Sequence, residues 1–399
     1  MERSQERNGG EGVAGREPGG EGLRLRREIG LWSAVSLMAG CMIGSGVFMS
    51  PQGVLVYMGS PGASLMVWAG CGLLAMMGAL CYAELSALVP KSGGEYAYIL
   101  QIFGSLPAFL VIYTFVLLVR PAAIAAVSLS FAEYAVTPFY PGCSSMPQAV
   151  LKGVAASCIL LLTLVNCWSS RLATMLVNVC AVAKVFSLLV IVVGGAVVLG
   201  QGRGHTETFL LAFHNTTQQA GRIGMAFYQG MWSFDGWNNV NYVVEELKNP
   251  KPQLLSMVHV HRLTPSPALM FTTAVALVLV IPGSFSTIVN FLSFLGWITY
   301  GTTIGCLLYL RIKKKNLPRP YKVPTIIPVI MLLASLYLVL APIIDHPQIE
   351  FLYIFLFLLS GIPVYFLFVY FHCQPRCLQM ATLYLQLLLE VAPTTKNVD

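Results

Sequence analysis

Gly40-Cys41-Met42-Ile43-Gly44-Ser45-Gly46-Val47-Phe48 lies in the middle of the first long apolar stretch, not at either end of it. Glycine is a poor interior helix residue and serine competes for backbone partners, so a helix through this stretch is expected to break. In lipid a break leaves N–H and C=O groups unpaired, which is tolerated only where it is buried in protein or lines a cavity. The break is therefore expected to face a ligand. A second interruption, Trp232-Ser233-Phe234-Asp235-Gly236-Trp237-Asn238, falls inside the sixth apolar stretch and brings an acid to membrane depth. Two broken spans five apart are the arrangement of a small-molecule carrier built from inverted repeats, with half-helix ends turned toward a solute near the midplane.

The rest of the composition agrees. The chain has 399 residues, of which 56% are hydrophobic and 10% charged, against about 25% charged in a soluble protein. It reads as an all-α polytopic membrane protein. The net charge of +7 reads as membrane orientation, and no nucleic-acid partner is expected. Ten apolar stretches can be marked: Leu31–Val56, Ala63–Val89, Pro107–Ala135, Val150–Val165, Leu172–Leu199, Ile223–Val244, Pro267–Ile281, Ile288–Leu310, Ile326–Ile344 and Phe351–Phe371. Most have the twenty or so residues that a spanning helix needs; the seventh is short. Lys and Arg fall before the first stretch and after the second (Lys91), fourth (Arg171), sixth and eighth, the last group including Arg311, Lys313, Lys314 and Lys315. Only Arg203 and Arg222, after the fifth, break the alternation. Both termini are thus expected in the cytoplasm, and Cys143 and the sequon Asn215-Thr216-Thr217 outside. Residues 1–29 are read as a disordered tail without a cleaved signal peptide, 30–372 as the transmembrane domain, and 373–399 as a tail whose Leu378–Val391 segment lies on the membrane surface. Six cysteines within the stretches, Cys41, Cys71, Cys81, Cys158, Cys180 and Cys306, read as small buried hydrophobes. Cys143, in a Pro/Gly/Ser-rich loop, points to an intermolecular disulfide or a free thiol.

Charges inside spans are costly and mark function or a structural pair. Arg120, followed by Pro121, and Glu84 are open to either reading. Lys184 and Asp235 are expected to be functional, the lysine as a fixed cation where ion-coupled carriers hold sodium. Bare N–H groups at Gly44, Ser45 and Gly46, near a positive helix end, suit a carboxylate. Carbonyls freed at Met42, Trp232 and Asp235 suit an ammonium group, and Trp232 is large enough to close over a solute. With Ile43 and Ser233 beside them, these residues fit the head group of an α-amino acid. All six histidines lie outside the apolar stretches, so no base for a Ser/His protease sits at membrane depth. No metal or cofactor is expected.

The run Gly40 to Pro51, Tyr82-Ala83-Glu84-Leu85, Pro90-Lys91-Ser92-Gly93-Gly94-Glu95-Tyr96-Ala97-Tyr98, Arg120-Pro121-Ala122, Phe234-Asp235-Gly236-Trp237-Asn238, Glu245 to Pro250 and Arg262-Leu263-Thr264-Pro265 resemble the light chains of heteromeric amino-acid transporters. The likeness is greatest to b(0,+)-type and aromatic-preferring members, because Asp235 stands where many neutral-only members have glycine. The resemblance implies a LeuT-like fold with two discontinuous helices and sodium-independent exchange of neutral, aromatic and cationic amino acids. It also implies plasma-membrane location and a disulfide from Cys143 to a single-span glycoprotein heavy chain of the rBAT type or a related one. By the same match Ser45 and Gly46 hold the substrate carboxylate, and Lys184 replaces a sodium site. One departure is large. The family has twelve spans and this chain ten: Asn249-Pro250 runs within a dozen residues into Arg262-Leu263-Thr264-Pro265, so family spans seven and eight are expected to be missing near 251–261, about 80 residues. The half-sites on spans one and six are then expected to persist without a closed pocket around Lys184. The alternative is a transport-incompetent subunit that binds or regulates a heavy chain, retained in the endoplasmic reticulum if it misfolds.

Overall fold

The computed structural model of the protein describes residues 40, 42–89, 93–140, 147–201, 211–238, 257–259, 266–314, 319–345, 347, 349–371 and 391–393. Among them the architecture is helical, apart from one short antiparallel ladder. Helices α1 (Ser45–Met58) and α2 (Pro61–Leu88) are separated at Gly59, whose φ of 74° turns the chain. Then come α3 (Glu95–Phe103), α4 (Ser105–Thr114), α5 (Arg120–Val136), α6 (Gln148–Trp168), α7 (Ser170–Gly200) and α8 (Ala220–Ser233). Helices α9 (Ser266–Val280), α10 (Phe285–Lys313), α11 (Ile326–Asp345) and α12 (Ile349–Val364) complete the bundle. Among the described residues seven helical stretches are long and apolar enough to cross a membrane: 61–88, 105–139, 148–168, 171–200, 285–313, 326–345 and 351–370. They coincide with the second to fifth and eighth to tenth apolar stretches. The first, sixth and seventh appear as the shorter α1, α8 and α9. Ladder strands β1 (Met257–His259) and β2 (Val391–Pro393) pair with Met257 opposite Pro393. Val391, expected at the end of a surface helix, is in this ladder; Leu378 to Glu390 lie outside the described residues.

Pro121 shapes the third span. It has no N–H to give Leu117 and its ring would meet that carbonyl in a regular α-helix. The chain widens instead into a π-turn at Phe115–Val119, closed by the Arg120 N–H on the Phe115 carbonyl.

Helix α8 is the centre of the bundle, packed against α1, α2, α10 and α11. Without a hydrophobic driving force in lipid, helices associate where small residues let them approach closely. A Cβ at Gly230 would sit 2.7 Å from the Cys71 Sγ, and one at Gly78 would sit 2.9 Å from the Trp237 ring. Polar groups fix the register. Tyr228 donates its hydroxyl to the Leu338 carbonyl, the Asp345 carboxylate accepts from the Gly221 N–H, and Tyr337 donates to the Ala220 carbonyl at 2.8 Å. Gln229 bridges to Asn290 (2.8 Å) and Ser286 (3.2 Å), and Asn290 reaches the Tyr57 hydroxyl at 3.2 Å. A second cluster joins α5, α6, α9 and α10 through Ala122, Ala125, Ala155, Ala276 and Leu292. Lys152, inside the fourth apolar stretch, donates to the Ile281 carbonyl at 2.5 Å just past the end of α9, where a cation is favoured.

Glu84 and Arg311 resolve a question left open by the sequence. Arg311 reads there as a loop cation, but it occupies the last turn of α10, buried, and its Nε and terminal nitrogen grip both oxygens of the fully buried Glu84. The same clasp takes in the loop before α11: Val323 donates its N–H to Glu84 (2.8 Å), and Arg311 donates to the Val323 carbonyl (2.7 Å) and the Thr325 hydroxyl (3.3 Å). With so many of their polar atoms partnered, Glu84 and Arg311 form a structural pair.

Helix α7 is the exception to this packing. No residue of its apolar window is buried, and its packing partner is α6. Cys71, Cys81 and Cys306 are buried, as expected of small hydrophobes, but Cys180 on α7 is exposed.

Removing one side of the clasp strands a buried charge. Arg311→Met is expected to cost about 3–5 kcal/mol, and pairing it with Glu84→Gln to recover a large part. Thermal unfolding in detergent reads both; equal loss in the single and double variants would contradict the assignment.

Candidate binding site at the two helix breaks

The first break is short and sharp. Gly40 and Met42 are helical, Ile43 and Gly44 bend, and α1 starts at Ser45 with the extended Gly44 before it. The Gly44 N–H bonds to the Met42 carbonyl at 2.9 Å. Of the three donors expected to be bare, Gly44 is therefore occupied. Ser45 and Gly46 stand in the first turn, where a helix leaves its N–H groups without internal partners. The Met42 carbonyl retains its second lone pair.

The second break ends α8. The Phe234 N–H returns to the Met231 carbonyl (3.0 Å) and the Asp235 N–H to the Trp232 carbonyl (3.4 Å), then Gly236 reverses the chain with φ 103°. Trp237 and Asn238 fold inward and are buried. Trp237 meets the Tyr82 ring edge-on at 4.8 Å, and Asn238 donates to the Glu95 carboxylate at 2.8 Å, which also accepts from the Tyr82 hydroxyl at 3.1 Å. Glu95, at the start of α3, is thereby almost wholly buried.

The two breaks touch. A Cβ at Gly46 would lie 2.7 Å from the Ser233 Cα and 2.8 Å from both the Ser233 nitrogen and the Trp232 carbonyl oxygen. Only glycine allows backbone to meet backbone this closely. The Trp232 indole N–H points to the Ser45 hydroxyl at 3.4 Å, and its ring meets Phe285 edge-on at 6.5 Å. The Ser233 hydroxyl is buried at the contact with no hydrogen-bond partner among the described residues. Asp235, in contrast, is exposed.

Met42, Ile43, Gly44, Ser45, Gly46, Trp232, Ser233 and Asp235 are therefore parts of one place. Lys184 is not among them: it lies on α7, whose packing partner is α6. Cys143 lies outside the described residues. Two residues gain a position that sequence reading did not give them. Glu95, quoted in the Ser-Gly-Gly-Glu motif, anchors the turn after the second break. Arg120 is aimed by the π-turn and lies within electrostatic reach of Asp235, as does Glu95. The signal for Arg120 was Pro121 beside it, and that for Glu95 was a carboxylate between two apolar stretches with no basic neighbour after it. An open depression lined by Arg171, Thr174, Met175, Asn178 and Val179 lies on α7 and shares no residue with the breaks.

The chain is similar to known proteins. Residues 29–257 match the amino acid permease family. The b(0,+)-type amino acid transporter 1 of Mus musculus is 37% identical over 94% of this chain and 95% of its own length, and its Homo sapiens counterpart is 36% identical over the same shares. The large neutral amino acids transporter small subunit 2 of Mus musculus is 33% identical over 90% of this chain and 84% of its own length. The first of these alignments runs over 465 positions, and 94% of a 399-residue chain is only about 375, so about 90 positions of the relative have no counterpart here, the length of two spanning helices and a connection. Both breaks lie within the matched segment, and on identity and coverage together this chain belongs to the amino acid permease family.

Proposed function

We propose that the chain is an L-amino-acid carrier, the light chain of a heterodimer that exchanges neutral, aromatic and cationic amino acids without sodium. The observation that carries this reading is the contact of Gly46 with the Trp232–Ser233 backbone, which brings the unpaired groups of two broken helices to one point. The N–H groups of Ser45 and Gly46 receive the substrate carboxylate at the positive end of α1. The carbonyls of Met42, Trp232 and Asp235 receive its ammonium group, with Ile43, Gly44 and Ser233 completing the wall. The Asp235 side chain favours a cationic substrate tail. Trp232 must give up Ser45 for the carboxylate to enter. The relatives are named as transporters, and the reading is of a carrier, not an enzyme.

The same reading makes this a multi-pass plasma-membrane protein with both termini in the cytoplasm, joined outside the cell through Cys143 to a single-span heavy chain of the rBAT type. The positions missing relative to the relatives belong near 251–261, which is supported by the end of the family match at residue 257. Their absence favours a second reading, a transport-incompetent subunit that binds its heavy chain, because α7 and its Lys184 lack a wall beyond α6. The assignment of Lys184 as the surrogate for sodium needs α7 drawn against the breaks.

Exchange of labelled tyrosine and arginine in proteoliposomes separates the two. The first reading expects exchange above that of Ser45→Trp, whose indole fills the break. Exchange only when the two spans are restored, together with capture of the heavy chain by the chain as it stands, would support the second reading. The contact itself is tested by Gly46→Ala, expected to cost about 1–3 kcal/mol of stability because the facing backbone cannot yield, while Gly40→Ala, with nothing within 4 Å of the new Cβ, is expected to be neutral. Equal unfolding midpoints for the two variants in detergent would contradict the close approach.

A further inference from the structure

Arg120 is a charged residue near the middle of a span, and the structure gives it no ion-pair partner among the described residues. Its Cζ lies 4.7 Å from the centroid of the Phe115 ring, one π-turn earlier in the chain. That turn exists because Pro121 forbids a regular one, so the aim of Arg120 is fixed by local sequence. π-turns of this kind recur at functional positions. The turn also lies against the breaks. Val119, immediately before Arg120, packs on the same α5–α6–α9–α10 cluster as Trp232, and on the α8-centred core as well. Arg120 and Asp235 are both exposed. An exposed guanidinium at this depth is tolerable only on a watered gap, since lipid contact there is costly.

We infer that Arg120 is a specificity-determining residue of this site: its guanidinium, held over Phe115 by the π-turn, faces the Asp235 carboxylate across the gap and sets how strongly a cationic substrate tail is preferred over a neutral one. The inference rests on the reading of the breaks as an amino-acid site. A second carboxyl group, Glu95, and the Arg120 guanidinium then both lie within electrostatic reach of Asp235, and Glu95 is committed to Asn238 and Tyr82. A substrate ammonium tail approaching Asp235 meets the repulsion of Arg120, whereas a neutral tail does not. Arg120 thus moderates the cation preference that Asp235 creates, and holds neutral and cationic substrates within one range of affinity.

The test is equilibrium binding of labelled arginine and labelled tyrosine to the purified full chain, reported as the ratio of the two dissociation constants. Arg120→Gln is expected to shift that ratio toward arginine by roughly fivefold, as removal of one unit charge acting across a partly screened gap does. Arg120→Lys, which keeps the charge, is expected to leave the ratio near that of the unaltered chain, although it loses the stacking on Phe115. A purely structural role would weaken both ligands alike in Arg120→Gln and leave the ratio unchanged, and that result overturns the inference. If Arg120→Gln is not monodisperse, Arg120→Met keeps the apolar stem and carries the same expectation. Failure of the unaltered chain to bind either amino acid overturns the site itself, and the inference falls with it; binding with an unchanged ratio overturns the inference alone.

Discussion

An unpaired backbone group in hydrocarbon costs several kcal/mol, and this constraint orders the rest of the structure. Two helices stop inside the apolar region, at Gly44 and at Ser233, and each would be untenable alone. They are tenable together because Gly46 lets the start of α1 rest directly on the backbone that ends α8. Each break then partly satisfies itself, through the Gly44 to Met42 bond on one side and the Phe234 and Asp235 returns on the other. What is left over is a small set of donors at Ser45 and Gly46 and acceptors opposite them. These are the groups that the proposed site uses.

The surroundings hold the contact still. Helix α8 is tied at its first turn by Asp345 and Tyr337, along its length by Leu338 and Asn290, and beyond its end by Glu95 through Asn238. The clasp of Glu84, Arg311 and Val323 fixes α2, the helix on which Cys71 meets α8 and Tyr82 meets the second break. The groups left over at the breaks, which the proposed site uses, take their geometry from this frame. Only α7 stands apart from it. A helix of that length and apolarity, carrying a lysine at its middle and buried nowhere, lacks the neighbours that helix packing in membranes supplies.

Much of this was legible in the chain. Glycine and serine in mid-span, and an acid beside Gly236, announced both breaks, because nothing else in a spanning helix explains those residues. The seven long helices fall where apolar length put them. What the sequence withheld was pairing. Arg311 sits among Lys313, Lys314 and Lys315 and reads as one more loop cation, yet burial and Glu84 claim it; no periodicity distinguishes a cation that turns inward from three that do not. Glu95 was visible as part of a motif, but its bond to Asn238 joins residues 143 positions apart in sequence. The freedom of the Gly44 N–H was overestimated for a local reason: a two-residue return to Met42 turns the chain at Ile43 and leaves no trace in composition. The isolation of α7 leaves no trace in composition, and charge alternation cannot detect a loss of two spans at once.

The central claim is that an amino acid is held between the two breaks. The most direct measurement is an electron cryomicroscopy map of the full chain with saturating tyrosine. The account predicts density between the amides of Ser45 and Gly46 and the carbonyls of Met42 and Trp232, with the Trp232 indole moved off the Ser45 hydroxyl. Tyrosine bound elsewhere, with the indole still on Ser45 and Gly46 still against Ser233, would contradict it.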